Sequence, residues 1–274
     1  MSEEKSLLEK IKSVRGRTFA PMGDCKKALM ESSQDEEKAI DWLKKKGIAS
    51  YAKRAGREAS EGVAAFEIKD NAGVLLSLQC ETDFVAKNEK FYSIAKFLAT
   101  ELLDKELEDI KIDSVSVSDY LMQQSSSLGE NIKLGEVIKF DKKDNSYVYG
   151  YAHNKYAENV GRIATLVRVS KEDSEFGNNI ALNIVGMGAQ YLEFSDIPSE
   201  EKDRELEILK DSVASLDKSE EDKSKILQGK LEKKLRPSVL MDQVYVKDTK
   251  LTVRQYALQS SNEILEFKKI SIKD

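Results

Sequence analysis

The sequence is short of the residues that carry most catalysis. Its 274 residues include one histidine, His153, and two cysteines, Cys25 and Cys80, far from it in the chain. Zinc centres are built largely from Cys and His, so a Cys- or His-rich zinc cluster cannot be assembled, and nothing local supports a Cys–His nucleophile pair. Two distant cysteines also argue against a disulfide framework and fit a reducing, cytoplasmic setting. No apolar run approaches the roughly 20 residues that span a bilayer. The first residues, Met1-Ser2-Glu3-Glu4-Lys5, lack the basic and apolar regions of a secretory leader. A global basic field is missing too: the net charge is −5, which gives nucleic acid nothing to be drawn to.

What is present is charge of both signs, 34% of residues against 40% hydrophobic. That balance suits a soluble chain with long solvated helices and room for one to three domains. Residues 1–56 read as a bundle of three short helices. Leu7, Leu8, Ile11 and Val14 recur at helical spacing up to a break at Arg15-Gly16-Arg17. A second helix is expected from Gly23 or Asp24 to Ser32. The third follows a capping box at Ser33-Gln34-Asp35-Glu36, with Ala39, Ile40, Trp42 and Leu43 inward and Gly47 as its stop. A basic connector with Lys53, Arg54 and Arg57 leads out.

Two similar segments come next. Residues 62–68 and 74–78 flank a turn at Asp70-Asn71-Ala72-Gly73, a hairpin signal, and a helix is expected from Asn88 to Leu103. Residues 146–153 and 161–167 form a second strand pair, followed by a connector with Phe176 and a helix from Asn178 to Leu192. Hairpin then helix, twice, predicts a duplicated α+β core with antiparallel sheets. Residues 135–140 should add a strand beside the second hairpin. From Ser199 to Arg236, Leu206, Ile208, Leu209, Val213 and Leu216 face Ile226, Leu227, Leu231 and Leu235 across the polar stretch 217–220. This predicts a projecting antiparallel helical hairpin whose seam packs on itself, with homodimerisation through it as the alternative. The tail returns with Val244-Tyr245-Val246, a short helix from Thr252 to Gln259 and a last strand at Ile264–Ile272.

One stretch organises the rest. Cys80-Glu81-Thr82-Asp83-Phe84-Val85-Ala86-Lys87-Asn88 joins a buried strand to an amphipathic helix, with Phe84 at the tip of a polar turn. Local composition favours Phe84 as a lid on the core, since most large apolar residues pack inside; presentation to a partner is the other reading. Rival sites are weak. Gly186-Met187-Gly188 could pass for a dinucleotide turn, but Tyr191 occupies the position where close helix packing wants a small residue. Gly229-Lys230 is followed by Leu231, so it does not end a phosphate loop. His153 at a strand end reads as a hydrogen-bonding residue.

The sequence resembles elongation factor Ts in several motifs. Thr82-Asp83-Phe84-Val85-Ala86-Lys87-Asn88 matches the family signature, and Asp24-Cys25-Lys26-Lys27-Ala28-Leu29 the turn-helix of its N-terminal bundle. Leu128-Gly129-Glu130-Asn131, the Tyr151/His153…Gly161-Arg162-Ile163 region and Gln228-Gly229-Lys230-Leu231 match others, in the family's order from about Leu7 to Phe267. The N-terminal turn departs from the usual Thr-Gly-Ala-Gly-Met-Met-Asp-Cys, reading Thr18-Phe19-Ala20-Pro21-Met22-Gly23-Asp24-Cys25.

The resemblance implies a guanine nucleotide exchange factor for elongation factor Tu, binding its GDP-bound and nucleotide-free forms without covalent chemistry, cofactor or metal. It implies that Phe84 wedges between partner helices near the Mg²⁺ and phosphate site, with Asp83 as a polar anchor and Thr82 and Val85 beside them. Leu128, Gly129 and His153 would meet the same domain, and Arg15 and Met22 would reach one of its helices. The implied division is a UBA-like bundle at 1–56, a core subdomain at 57–140 and a second at 141–274 with the helical hairpin 199–236 inserted. A helical-bundle adaptor that binds protein without exchange activity is the competing reading.

Overall fold

The computed structural model describes residues 6–18, 20–214 and 219–272. Of the residues used above, Met1–Lys5, Phe19, Leu216, Asp217 and Lys218 lie outside the described residues. The architecture is α+β, with an N-terminal helical bundle, a repeated core and a helical hairpin.

The bundle comprises α1 (Leu7–Thr18), α2 (Met22–Glu31) and α3 (Glu36–Arg54), closed around Ile11, Val14, Cys25, Leu29, Ile40 and Leu43. Two glycines expected to stop helices do not. A glycine inside a helix costs only about 1 kcal/mol, and tertiary contacts outweigh that here. The α1 helix runs through Gly16 to Thr18, where the Thr18 hydroxyl donates to the Val14 carbonyl at 2.7 Å and Arg17 forms an exposed forked pair with Glu37 of α3, at 2.6 and 3.1 Å. The α3 helix runs through Gly47 because its end is held from outside, Arg54 donating to Ser125 and Ser126 at 3.4 and 3.2 Å. Asp35 rather than Ser33 caps α3, its carboxylate accepting the Lys38 N–H at 3.0 Å. Ser33 and Gln34 instead form a left-handed turn, with φ of 50° and 62°.

The first hairpin is β1 (Glu61–Lys69) and β2 (Ala72–Cys80), turned by Asp70 and Asn71 alone, both at positive φ as a two-residue hairpin demands. After a one-turn helix, α4 (Asp83–Ala86), comes α5 (Glu89–Glu101), then a small hairpin of β3 (Lys111–Ile112) and β4 (Val115–Ser116). The Ser-rich helix α6 (Val117–Leu128), not foreseen from the sequence, and β5 (Lys133–Phe140) complete the unit. β5 pairs with β2, not with the second hairpin as expected, placing Leu76 opposite Val137 and Gly73 opposite Phe140.

The second unit repeats this order. It comprises β6 (Tyr147–Ala157), β7 (Val160–Val169) and α7 (Ser174–Gly186), then the inserted hairpin α8 (Ser199–Ala214) and α9 (Glu220–Leu235). A small hairpin of β8 (Val244–Tyr245) and β9 (Asp248–Thr252), α10 (Val253–Gln259) and β10 (Ile264–Ser271) follow. β10 pairs with β7 as β5 pairs with β2. The repeat reaches individual residues. Ser116 caps α6 by accepting the Asp119 N–H at 3.1 Å, and Thr252 caps α10 by accepting the Gln255 N–H at 3.2 Å. Each cap precedes a buried valine, Val117 or Val253. The α7 helix starts and stops earlier than expected because Asp173 caps it and Gly188, at φ 68°, lies beyond its end; Phe176 therefore packs from its first turn.

Both units share one sheet, ordered β10-β7-β1-β2-β5 with β6 on β7. The junction is narrow, Ala64 opposite Gly161 and Ala65 opposite Val160, and the two halves face each other beyond it. Ala64, Phe66 and Leu75 of one half pack against Val148, Ala152, Ala164 and Leu166 of the other. A Cβ at Gly150 would lie 2.5 Å from the Phe66 ring. The opposite faces carry the helices, Val63, Leu76 and Leu78 under α5 and Val167 and Val169 under α7. Burial on both faces explains why these strands read as continuous apolar runs. Between the halves, fully buried Arg168 donates to Glu266 at 2.7 Å, Ser146 at 2.9 Å and the Asp141 carbonyl at 2.5 Å, and reaches the first unit at the Asn71 carbonyl, 3.4 Å away in the β1–β2 turn.

The helical hairpin closes its own seam, with Leu206 and Leu209 against Leu231 and Leu235. Ile208 lies off that seam and is exposed.

Candidate functional site

The buried strand β2 ends at Cys80, and Thr82 caps α4 in extended backbone with φ −127° and ψ 153°. One helical turn then separates three neighbours. Ala86 is buried, Val85 packs partly on the core of the first unit, and Phe84 points away with 83% of its surface exposed. Among the described residues Phe84 is the most exposed large apolar side chain, so the lid reading favoured by composition does not hold. Asp83 lies beside it, 2.5 Å from Lys87 one turn on. The Lys87 hydrogen bond holds Asp83 below the usual carboxylate range, and Asp83 in return raises the Lys87 ammonium. Asn88 then caps α5, accepting the Lys90 N–H at 3.0 Å.

The duplication isolates this corner. In the first unit Asn88 is the cap and Phe91, three residues on, is fully buried. In the second, Asp173 is the cap and Phe176, three residues on, is fully buried. The caps and anchors correspond, but the connectors do not: residues 81–87 precede Asn88, whereas only residues 170–172 precede Asp173. The helical turn bearing Phe84 is an addition that the second unit folds without.

The end of the second hairpin lies beside the corner. Arg162 pairs with Glu61 at 3.0 Å and adds to the positive potential around Asp83. Tyr156 stacks on Tyr92 of α5, ring centres 6.4 Å apart. His153 sits exposed on the same hairpin, opposite Ile163 and tilted against Tyr151 at 6.3 Å. Below the corner, a groove of about 980 Å³ runs between α1 and α5. Lys12, Arg15 and Lys90 edge it with positive charge, and Ile94, Phe97 and Leu128 supply apolar surface. Arg15 and Leu128 thus share one groove with the start of α5. Gly129 caps α6 at φ 78° just past it. Met22, exposed at the start of α2, is outside the groove lining.

The sequence profile described as "Elongation factor TS" matches residues 81–274. Elongation factor Ts of Wolbachia pipientis subsp. Culex pipiens (strain wPip) is 33% identical over 271 residues, 96% of each chain. That of Symbiobacterium thermophilum is 34% identical over 254 residues, covering 89% of this chain and 82% of its own. That of Wolbachia pipientis wMel is 34% identical over 262 residues, 91% of each. The chain belongs to the elongation factor Ts family.

At the corner of this member of the elongation factor Ts family, an exposed aromatic ring stands beside the Asp83–Lys87 ion pair. Cys80 beneath it is buried, and desolvation, with the Glu130 charge second, pushes its thiol up to about 12, too high for a nucleophile. Among the described residues no cluster of three or more His, Cys, Asp or Glu could hold a metal ion, and no helix is long and apolar enough to cross a membrane. Gly186-Met187-Gly188 closes α7, so it presents carbonyl groups, the wrong end of a helix for phosphate. Sequence reasoning missed the side chains that hold the corner from outside, Glu130 on the Glu81 and Thr82 amides and Asn131 on the connector after α3. Both stand inside a motif matched to the family, which was the available signal.

Proposed function

We propose that this protein is a guanine nucleotide exchange factor for elongation factor Tu, accelerating GDP release by binding and stabilising the nucleotide-free state. The observation that carries the reading is Phe84: a large apolar side chain, 83% exposed, on a helical turn inserted into a duplicated fold that does not require it. Such a side chain in water gains on entering a partner's interior. Phe84 acts as the wedge near the partner's Mg²⁺ and phosphate site, and Asp83 as the polar anchor beside it. Thr82 and Val85 seat the turn; Leu128, Gly129 and His153 meet the nucleotide domain; and Arg15 and Met22 extend the contact from the bundle. Residues 1–56, 57–140 and 141–274 act as three parts, the first docking and the others carrying the corner and the distal contacts. The setting is the cytoplasm.

No covalent bond changes in this mechanism. By linkage, the factor weakens GDP binding by the same ratio by which GDP weakens the factor's binding. Burying one Phe yields roughly 1.5–3 kcal/mol, about tenfold to a hundredfold in affinity. Larger acceleration requires the wedge to displace contacts to Mg²⁺ and phosphate as well. The test is release of fluorescent GDP from elongation factor Tu, chased with excess unlabelled GDP. Catalytic amounts of this protein should speed release many-fold; an unchanged rate with demonstrable binding would favour the adaptor reading.

A further inference from the structure

The segment after α6 reaches the Phe84 corner through its side chains. Gly129 reverses the chain, its N–H on the Ser125 carbonyl at 2.9 Å, and so brings Glu130 against the end of β2. Glu130 Oε2 accepts the backbone N–H groups of Glu81 and Thr82 at 3.0 and 3.1 Å, and Oε1 accepts the Thr82 hydroxyl at 2.5 Å. The same hydroxyl accepts the Val85 N–H at 3.4 Å and thereby caps α4. Glu130 therefore fixes both the backbone leading into the cap and the rotamer of the cap itself.

The clamp is reciprocal. Glu81 Oε1 accepts the Asn131 N–H at 2.6 Å, while Asn131 Nδ2 donates to the Arg57 and Ala55 carbonyls at 2.8 and 3.4 Å. Ser125 Oγ donates to the Glu130 carbonyl at 2.5 Å and accepts from Arg54 Nε at 3.4 Å. A continuous hydrogen-bonded path thus runs from the end of α3 to the turn bearing Phe84. A helix of one turn does not hold its own shape in water, so the direction of Phe84 depends on what grips its ends. Ala86 buries one end, and Glu130 grips the other.

We propose that Glu130 is the positioning residue of the exchange corner, aiming Phe84 through the Thr82 cap. The assignment rests on the exchange reading above. It makes Glu130 act through Phe84, with no contact of its own to the partner.

The experiment measures the maximal GDP-release rate at saturating factor, and the thermal midpoint, for full-length Glu130→Ala, Glu130→Gln, Phe84→Ala and the Glu130→Ala/Phe84→Ala double variant. Glu130→Ala is expected to lower the maximal rate about tenfold. Glu130→Gln should restore at least half of it, because its amide oxygen can accept both N–H groups while its NH₂ donates to Thr82 Oγ1. In the Phe84→Ala background, Glu130→Ala should bring no further loss. A wild-type rate in Glu130→Ala, or a full additional loss in the double variant, would overturn the proposal. If Glu130→Ala is too unstable to assay, Glu130→Asp, one methylene shorter, carries the same expectation at smaller size. Amide hydrogen exchange over residues 81–86 reads the clamp independently: Glu130→Ala should speed it, and unchanged protection overturns the clamp. Absence of any stimulation by the wild-type protein instead refutes the exchange reading alone.

Discussion

Replacing Phe84 by alanine should separate folding from function. The side chain is 83% exposed, so truncation removes almost no contact from the free protein, and its helical turn is absent from the second repeat. Exposed substitutions away from special features stay within about 0.5 kcal/mol, and alanine is the better helix former. The thermal midpoint should therefore move by no more than about 2 °C. Binding is different, because nearly the whole ring becomes available to a partner. At about 25 cal/mol per Å² this side chain supplies roughly 1.5–3 kcal/mol on burial, so its loss should slow stimulated GDP release about tenfold to a hundredfold. The assay is fluorescent-GDP release from elongation factor Tu over a range of factor concentrations, with unfolding followed in parallel. A fall in maximal rate at unchanged midpoint is expected. Full stimulation by Phe84→Ala would refute the wedge, and a large loss of stability would show that the ring serves the fold.

Arg168→Met should be strongly destabilising, by about 3 kcal/mol, because it leaves the Asp141 carbonyl and the Ser146 hydroxyl without their charged donor in the interior; a midpoint within 2 °C of wild type would contradict the clamp between the units. At Glu266, burial opposes ionisation, but hydrogen bonds from Lys143 and Arg168 outweigh it and hold the carboxyl below its ordinary value. A folded-state value below the unfolded one stabilises the fold above about pH 4.3, and the contribution is lost as pH falls further through the folded value. The stability gap between wild type and Glu266→Gln should narrow as pH drops below about 4.3, and a gap independent of pH would refute this. Cys80, with its thiol pushed up to about 12, should resist iodoacetamide at pH 8 in the native protein and react once unfolded; rapid native alkylation would show that the corner opens.

Local signals carried much of the architecture into view. Asp70-Asn71 announced the first hairpin and the leucine stripes the helical hairpin, since each depends on neighbours in sequence. The misreadings share a non-local cause. Gly47 looks like a helix stop until Arg54 finds Ser125. The strand at 133–140 carries no local mark of its partner, so its place beside β2 could not be read. The α6 helix hid because its Ser- and Gln-rich surface gives a weak apolar period. At the corner, composition pulled Phe84 inward, and the family resemblance was needed to read it as presented to a partner. The Glu130 grip on Thr82 spans 48 residues, so local pattern could not pair the two and only the family motif around Glu130 marked the position.

An exchange factor must prefer the nucleotide-free form of its partner. The most direct test is this protein's dissociation constant for elongation factor Tu measured twice, once freed of nucleotide and once in saturating GDP with Mg²⁺. Much tighter binding to the nucleotide-free form is expected, by the same factor by which this protein weakens GDP affinity. Equal affinities for the two forms would contradict the exchange reading.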